Sequence, residues 1–398
     1  MIYFQVMENM KCIAAFLLFI AFVHAGEVDL IVKGNVDFSK SLYQEILKHK
    51  SGNVVLSPLS AQIILGLIQL GARGKTALEL AETLHLPKSP NILKEGFKDL
   101  ISHLKGNNLY DLHTANKIYL DHKLEIKSCF KKDSEKYFDA YLDLINFADN
   151  QKAAETINQW IQSRTNDKIK NMVPPELLGE QTSILLVNTL HFRARWSSPF
   201  IPNETKKRKF FKSEYDDIKV DTMHQVEVFN YFENTELDAK LIQLPYQGSD
   251  ITFTIILPNR IDGLRAVENK LDEFFLPQNY TFEKISLYMP KFKINSDFNL
   301  IPPLQRLGIQ RIFSGGDLSG MIATDKTMPI TDVLQKAILD VDEEGTEAAA
   351  ATVVNLGRIG RVPSTKPALE VHVDRPFFYA ISCGKLPLFV GRVTDPTE

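Results

Sequence analysis

Most residues of this chain that could do chemistry stand at the wrong spacing for it. "GARGKT" at 71–76 ends like a phosphate loop, where backbone N–H groups cradle phosphates and a lysine reaches them. That loop needs a glycine five positions before Gly74, and Gln69 stands there instead. A nucleophile elbow needs G-x-S-x-G and a zinc helix needs H-E-x-x-H; neither pattern occurs, although the chain has 9 histidines. The 3 cysteines, Cys12, Cys129 and Cys383, are too few for a Cys-rich metal site. The basic run "KKRKFFK", Lys206 to Lys212, could hold a sulfated polysaccharide or form a solvated face. No catalytic group, cofactor or metal is expected, so the chain does not read as an enzyme.

One stretch offers a bond to be cut instead of a group that cuts. "DEEGTEAAAATVV" covers residues 342–354 and runs on into "NLGRIGRVPSTKP". Ala and Glu are good helix formers, but the glycines and prolines that follow read as exposed loop. As a strand, the stretch alternates its faces. Thr346, Ala348, Ala350, Thr352, Val354 and Leu356 share one face, which is uncharged throughout. Glu347, Ala349, Ala351, Val353, Asn355 and Gly357 share the other. Such a segment can sit as a loop and later become a strand.

The elements that would position it divide along the chain. Phe38, Leu42 and Ile46 recur at spacing four, as a helix face does. "NVVLSPLSAQIILGLIQLGARGKTALELAETLHL" reads as a short strand, a Ser-Pro helix start and two helices broken near Gly71. From about residue 183, β-branched and aromatic runs such as "SILLVNTLHF", "DITFTIILP" and "LPLFVGRV" read as strands. Helices early and strands late indicate an α+β fold. Composition is ordinary for a globular chain, 44% hydrophobic and 24% charged over 398 residues. No linker or repeat divides it, so one domain is expected. The formal charge of -3 argues against nucleic-acid binding through bulk positive charge.

The N-terminus reads as an export signal. Lys11 precedes the apolar run Cys12 to Val23, and "VHA" ends in a small residue before Gly26. A buried N-terminal helix is the competing reading, and Met10 is an alternative start. Cleavage after Ala25 makes residues 1–25 a signal peptide and 26–398 a secreted, extracellular chain, neither membrane-bound nor oligomeric. The run is too short to span a membrane. Cys129 and Cys383 then remain, enough for one bridge or two free thiols. Asn203 in "NET" and Asn279 in "NYT" are glycosylation acceptors on a eukaryotic secretory route.

Six segments in order resemble the serpin family, and the resemblance covers residues 30 to 398. They are "NVVLSPLSAQIILGLIQLGARGKT", "NTLHFRARWSSPF", "MPKFKINSDFNLIPPLQRLGI", "LQKAILDVDEEGTEAAAAT", "VHVDRPFFYAI" and "FVGRVTDP". In the second, Asn188, Phe192, Trp196, Pro199 and Phe200 stand in the matching places. The resemblance implies three β-sheets, eight or nine helices and an exposed reactive-centre loop, about 343–365. It places Ser57, Ser60, Asn188, Trp196 and Gln335 in the shutter and breach of the main sheet. The hinge would run through Glu343, Glu344, Gly345, Thr346, Glu347, Ala348, Ala349, Ala350, Ala351 and Thr352.

In inhibitory members a protease attacks the loop as an acyl-enzyme, and the cut loop then inserts into the sheet and carries the protease with it. This sequence departs from the family where "HKA" is usual, because Gln335 replaces the histidine. A glutamine amide can both donate and accept, so its link to Asn188 is expected to persist without pH sensitivity. The residue before the cut is Arg358 in first place, then Ile359, then Arg361, with Gly360 between them. Arg358 points to a trypsin-like extracellular serine protease and Ile359 to an elastase-like one. The alternative function is a non-inhibitory serpin that carries a ligand or serves as storage. Non-inhibitory relatives often carry bulky, charged or Pro hinge residues, and the inward positions Thr346, Ala348, Ala350 and Thr352 carry none.

Overall fold

A computed structural model describes residues 26–105, 110–323, 328–346 and 367–398. Residues 1–25 and the reactive-loop positions 347–366, including Glu347 to Thr352 and Arg358 to Arg361, lie outside the described residues.

Local sequence explains the first elements. Helix α1 (26–47) buries Phe38, Leu42 and Ile46 on one face. Strand β1 (Val54–Leu56) leads into α2 (Pro58–Gly71). Ser57 caps α2 by accepting the Ser60 N–H at 3.3 Å, and Pro58 starts the first turn without needing a donor. Nearly every α2 residue is buried, as its all-round apolar sequence requires. Helices α3 (Gly74–Thr83), α4 (Pro90–Leu104), α5 (Ser128–Phe138) and α6 (Asn150–Arg164) follow. The shorter helices α7 (Leu264–Glu268), α8 (Leu271–Phe275) and α9 (Ile301–Leu307) come later.

Six strands form the sheet that matters for function. In order across it they are β10 (Phe292–Asn299), β11 (Asp332–Val341), β12 (Gly345–Thr346), β4 (Ile184–Arg195), β2 (Tyr110–Asp121) and β3 (Ala140–Ile145). A second network runs β1, β15 (Leu386–Val393), β14 (Phe377–Cys383), β8 (Ile251–Pro258), β7 (Ala239–Pro245), β6 (Asp216–Asn234), β9 (Thr281–Pro290) and β13 (Leu369–His372). Strand β5 (Lys206–Ser213) pairs with β6 beside that path. The three expected sheets meet in these two networks because β6 is continuous. Its Asn230–Asn234 end pairs with β7, while Thr222–Tyr231 pair with β9.

One expectation shifts. Strands β2 and β3 fall among the early helices, so the order is not simply helices first and strands last. The first four residues of the expected loop, 343–346, pack against the body. Gly345 and Thr346 are buried strand, and Glu343 and Glu344 are half-buried.

Apolar side chains cover both faces of the six-stranded sheet. Leu186 and Leu190 of β4 and Val333, Ala337 and Leu339 of β11 join the main core. On the opposite face Leu185, Val187, Leu334 and Ile338 pack with Ile157 and Ile161 of α6. A strand period of two gives each strand both memberships.

Candidate functional site

The middle of the six-stranded sheet carries a row of three amides. Strands β11 and β4 run parallel and paired from Asp332↔Leu185 to Ile338↔His191, with Gln335 opposite Asn188. On the other side, Asn188 stands opposite Asn116 of β2. All three side chains are at most 1% exposed, on the face otherwise lined by the main core. Gln335 Nε2 donates to Asn188 Oδ1 at 2.7 Å and to the Ser57 carbonyl at 2.8 Å. Gln335 Oε1 accepts the Ser57 N–H at 3.1 Å. Asn188 Nδ2 donates to Ser60 Oγ and to Asn116 Oδ1. Ser57 Oγ also donates to the Leu388 carbonyl at 2.8 Å. The row therefore ties β11, β4 and β2 to each other and to the start of α2. A polar group buried this deeply is costly unless it is bonded, so the network fixes the seam between β11 and β4.

Above that row the seam is split. The two residues of β12 lie between β11 and β4, with Thr346 opposite Val341 on one side and Ala194 on the other. Gly345 is required there, since an added Cβ would stand 2.0 Å from the Ala194 carbonyl oxygen. Thr346 is completely buried, its Oγ1 2.5 Å from the Tyr246 hydroxyl. The Tyr246 ring stacks on Trp196 at 4.6 Å and 11°. Trp196 holds the turn above β12 through its Nε1–H to the Asp342 carbonyl (3.0 Å) and its backbone N–H to the Glu344 carbonyl (2.9 Å).

The acids of this turn are held in different ways. The Asp342 carboxylate accepts the Glu344 and Gly345 N–H groups at 2.9 and 3.2 Å. Burial still raises its pKa above the usual carboxylate range. Glu343 pairs with Lys291 Nζ at 2.7 Å and accepts the Thr205 hydroxyl at 2.7 Å. Burial works to raise Glu343, but these partners outweigh it and the net shift is downward. At the far end of the seam, burial pushes Asp332 up to about 6.

The remaining expected residues lie apart from the seam. Asn203 and Asn279 are both exposed. The basic run forms β5, where Lys207, Lys209 and Lys212 pair with Asp221, Asp217 and Asp216 at 3.0, 3.3 and 3.2 Å. Those pairs offset the charge that a sulfated polysaccharide would use. Cys129 is exposed and Cys383 half-buried, and both are free thiols. Among the described residues there is no cluster of three metal-ligating side chains, and no helix is long and apolar enough to cross a membrane.

Tyr246, Asn116, Lys291 and Thr205 are partners that the sequence reading passed over. Asn116 left a signal: it shares a strand face with Ile118 and Leu120, a polar residue in an inward position. Tyr246 left none, because its contact with Thr346 joins residues a hundred positions apart.

The chain is similar to known proteins over nearly its whole length. A family model described as serpin (serine protease inhibitor) matches residues 33–396. The chain is 34% identical to alaserpin of Manduca sexta, over 97% of this chain and 100% of that one. Human serpin B3 is 32% identical over 92% of this chain and 99% of its own. The crystal structure of Serpin48 from the insect Tenebrio molitor superposes with a TM-score of 0.86 at 36% identity, covering 92% of this chain and 98% of that one. The chain belongs to the serpin family.

Proposed function

We propose that the protein is a secreted suicide-substrate inhibitor of a trypsin-like serine protease, cut after Arg358 in its reactive loop. The observation that carries this reading is the register of β12. Thr346 stands opposite Val341 and Ala194, so a strand continuing from it brings Thr352 level with both Gln335 and Asn188. The same continuation sets Ala348 beside Leu339 and Phe192, Ala350 beside Ala337 and Leu190, and Val354 beside Val333 and Leu186. Both sides give the same level for each residue because β11 and β4 already pair with Gln335 opposite Asn188. Neither neighbour has to slide; they only have to part.

The side chains suit those levels. Small alanines meet the packed core row by row, and the Thr352 hydroxyl, a donor and an acceptor, arrives at the amide row it would divide. Each backbone bond gained contributes about 0.5–1.5 kcal/mol net, and burying Val354 and Leu356 adds roughly 1.5–3 kcal/mol each. An uncut loop is tethered at β13 and cannot follow this path. After a cut, roughly fourteen residues at about 3.3 Å each would carry the severed end some 45 Å, across the domain. A protease still acylated to that end travels with it and is distorted before it can deacylate.

The experiment is incubation of secreted protein with trypsin, read on a denaturing gel and by mass spectrometry of the released C-terminal peptide. A denaturant-resistant complex and a peptide beginning at Ile359 are expected, with secreted chains beginning at Gly26. Cleavage with full recovery of protease activity and no complex would overturn the inhibitory reading.

A further inference from the structure

Helix α6 lies on the face of the six-stranded sheet opposite the main core, and it straddles the β11–β4 seam. Ile157 and Ile161 pack with Leu185 and Val187 of β4 and with Leu334 and Ile338 of β11. These contacts are apolar, and they hold the helix to both sides of the line that an inserting strand must open.

Toward the edge of the sheet the contacts change character. Lys117 of β2 points to the same face as Tyr119, and its side chain is only 8% exposed. Its Nζ stands 4.8 Å from the centroid of the Tyr119 ring and 4.8 Å from that of the half-buried Trp160 of α6. The two rings meet edge to face at 6.4 Å and 87°. Asp143 of β3 adds an ion pair to the ammonium at 2.6 Å. A cation taken this far from water needs such partners, and a desolvated cation–ring contact is stronger than an exposed one. The Tyr119 hydroxyl makes no hydrogen bond, so that ring contributes its face.

A second contact repeats the arrangement with the roles exchanged. Arg164 stands one turn beyond Trp160 on α6, its guanidinium 5.3 Å from the centroid of the Tyr141 ring. Tyr141 lies on β3 directly opposite Lys117. One rung sends a cation from the sheet to a helix ring, and the other sends a cation from the helix to a sheet ring. Residues four apart share a helix face and cross-strand partners stand side by side, so the two rungs form one clasp.

We infer that, on the inhibitory reading proposed above, Lys117 is a positioning residue for loop insertion: aided by Arg164, it clasps α6 to β2 and β3 and so slows entry of the cut loop. Parting β11 from β4 by one strand moves the Leu334–Ile338 row about 4.8 Å from the Leu185–Val187 row. A helix clasped at β2 and β3 cannot tilt to keep both rows covered, so apolar surface is exposed at the barrier. A helix with a looser clasp follows the opening, and the barrier falls.

The clasp is read first in the uncut chain, by deuterium exchange of the α6 amides. Lys117→Met removes the charge and should speed that exchange about tenfold, the effect of one desolvated cation–ring contact. Lys117→Arg offers a guanidinium to the same rings and should restore the parent rate. Arg164→Gln breaks the exposed rung and should give about a twofold rise; it carries the test in smaller measure where Lys117→Met fails to fold. Insertion is then timed by rapid mixing with excess trypsin, from the change in indole emission as α6 moves. Lys117→Met should insert about tenfold faster and Lys117→Arg like the parent, whereas a merely structural loss would lower the melting temperature without changing that rate. Unchanged α6 exchange in both charge-removing variants would overturn the clasp. Faster exchange with an unchanged insertion rate would overturn its role in insertion alone. A parent whose melting temperature does not rise on cutting inserts nothing, which overturns the inhibitory reading and that role together.

Discussion

Gln335 on β11 and Asn188 on β4 face each other in register, and a 2.7 Å hydrogen bond between their amides closes the seam directly below β12. The Gln335 carbonyl oxygen also accepts the Ser57 N–H, so one side chain joins two strands to the start of α2. An amide does this at any physiological pH.

Gln335→His should therefore make stability pH-dependent. An imidazole that accepts the Ser57 N–H must be neutral in the fold, so its folded pKa would lie below the unfolded value near 6.5. The unfolded chain then binds more protons, and stability falls as pH drops through about 6.5. Denaturant midpoints from pH 5 to 8 would read this. Parallel midpoints for parent and variant would show that the amide's neutrality is immaterial.

Gly345→Ala tests the wedge above that pair. The added methyl would meet the Ala194 carbonyl oxygen at 2.0 Å, with the Arg195 Cα at 2.8 Å, so the backbone must shift. Strand β12 should leave the sheet and release the strap that Trp196 holds. Its indole emission should move to the red and its accessibility to a quencher should rise. Unchanged emission would mean that β12 accommodates the methyl.

Much of this was legible before any coordinates. The Ser-Pro start of α2, the break at Gly71 and the late strands follow from caps, prolines and β-branched runs. So does the alternation that points Thr346 inward. Strands β2 and β3 escaped because "HTANKIYLD" and "AYLDLI" interrupt their apolar pattern with polar residues. Asn116 does so because it bonds Asn188, a contact that local periodicity cannot express. The hinge acids are tied down for a related reason. Glu343 and Glu344 look like solvent residues, yet Lys291 and Thr205 hold Glu343, and the Glu344 carbonyl accepts from Trp196.

Asp332 begins β11 at the closed end of the seam, and burial raises its carboxyl to about 6. A carboxyl held above its unfolded pKa binds more protons in the fold, so stability falls as pH rises from about 4 through about 6. Asp332→Asn should melt higher than the parent at pH 8 and converge with it near pH 4. A gap that persists at pH 4 would assign the effect to something other than ionisation.

Charge at the hinge should act differently at two inward positions. Thr346 is already buried beside Tyr246, so Thr346→Arg puts an unpaired charge into the uncut protein, where it costs several kcal/mol. That variant should fold poorly. In the proposed insertion Ala350 reaches Leu190 and Ala337 only after cleavage, so Ala350→Arg should melt like the parent. Each ~1.4 kcal/mol added to the insertion barrier slows insertion about tenfold, which hands the race to deacylation. The product should be cleaved serpin with active protease. Undiminished complex from Ala350→Arg would remove the register continued from β12.

The choice of Arg358 is tested by changing the target. A trypsin-like primary pocket has a carboxylate at its base, which an arginine side chain neutralises and an alanine cannot reach. Arg358→Ala should therefore abolish complex formation with trypsin while leaving the fold and the hinge intact. It should also permit trapping of an elastase-like enzyme, whose shallow pocket accepts a small side chain. If Ile359 precedes the cut, the parent already traps the elastase-like enzyme and the substitution changes little. If Arg361 precedes it, trypsin is still trapped and the released peptide begins at Val362. The inserted arm would then be about 10 Å longer at ~3.3 Å per residue, and the protease would be carried correspondingly further. Trypsin complex that survives Arg358→Ala moves the bond; its loss, with normal melting, fixes it.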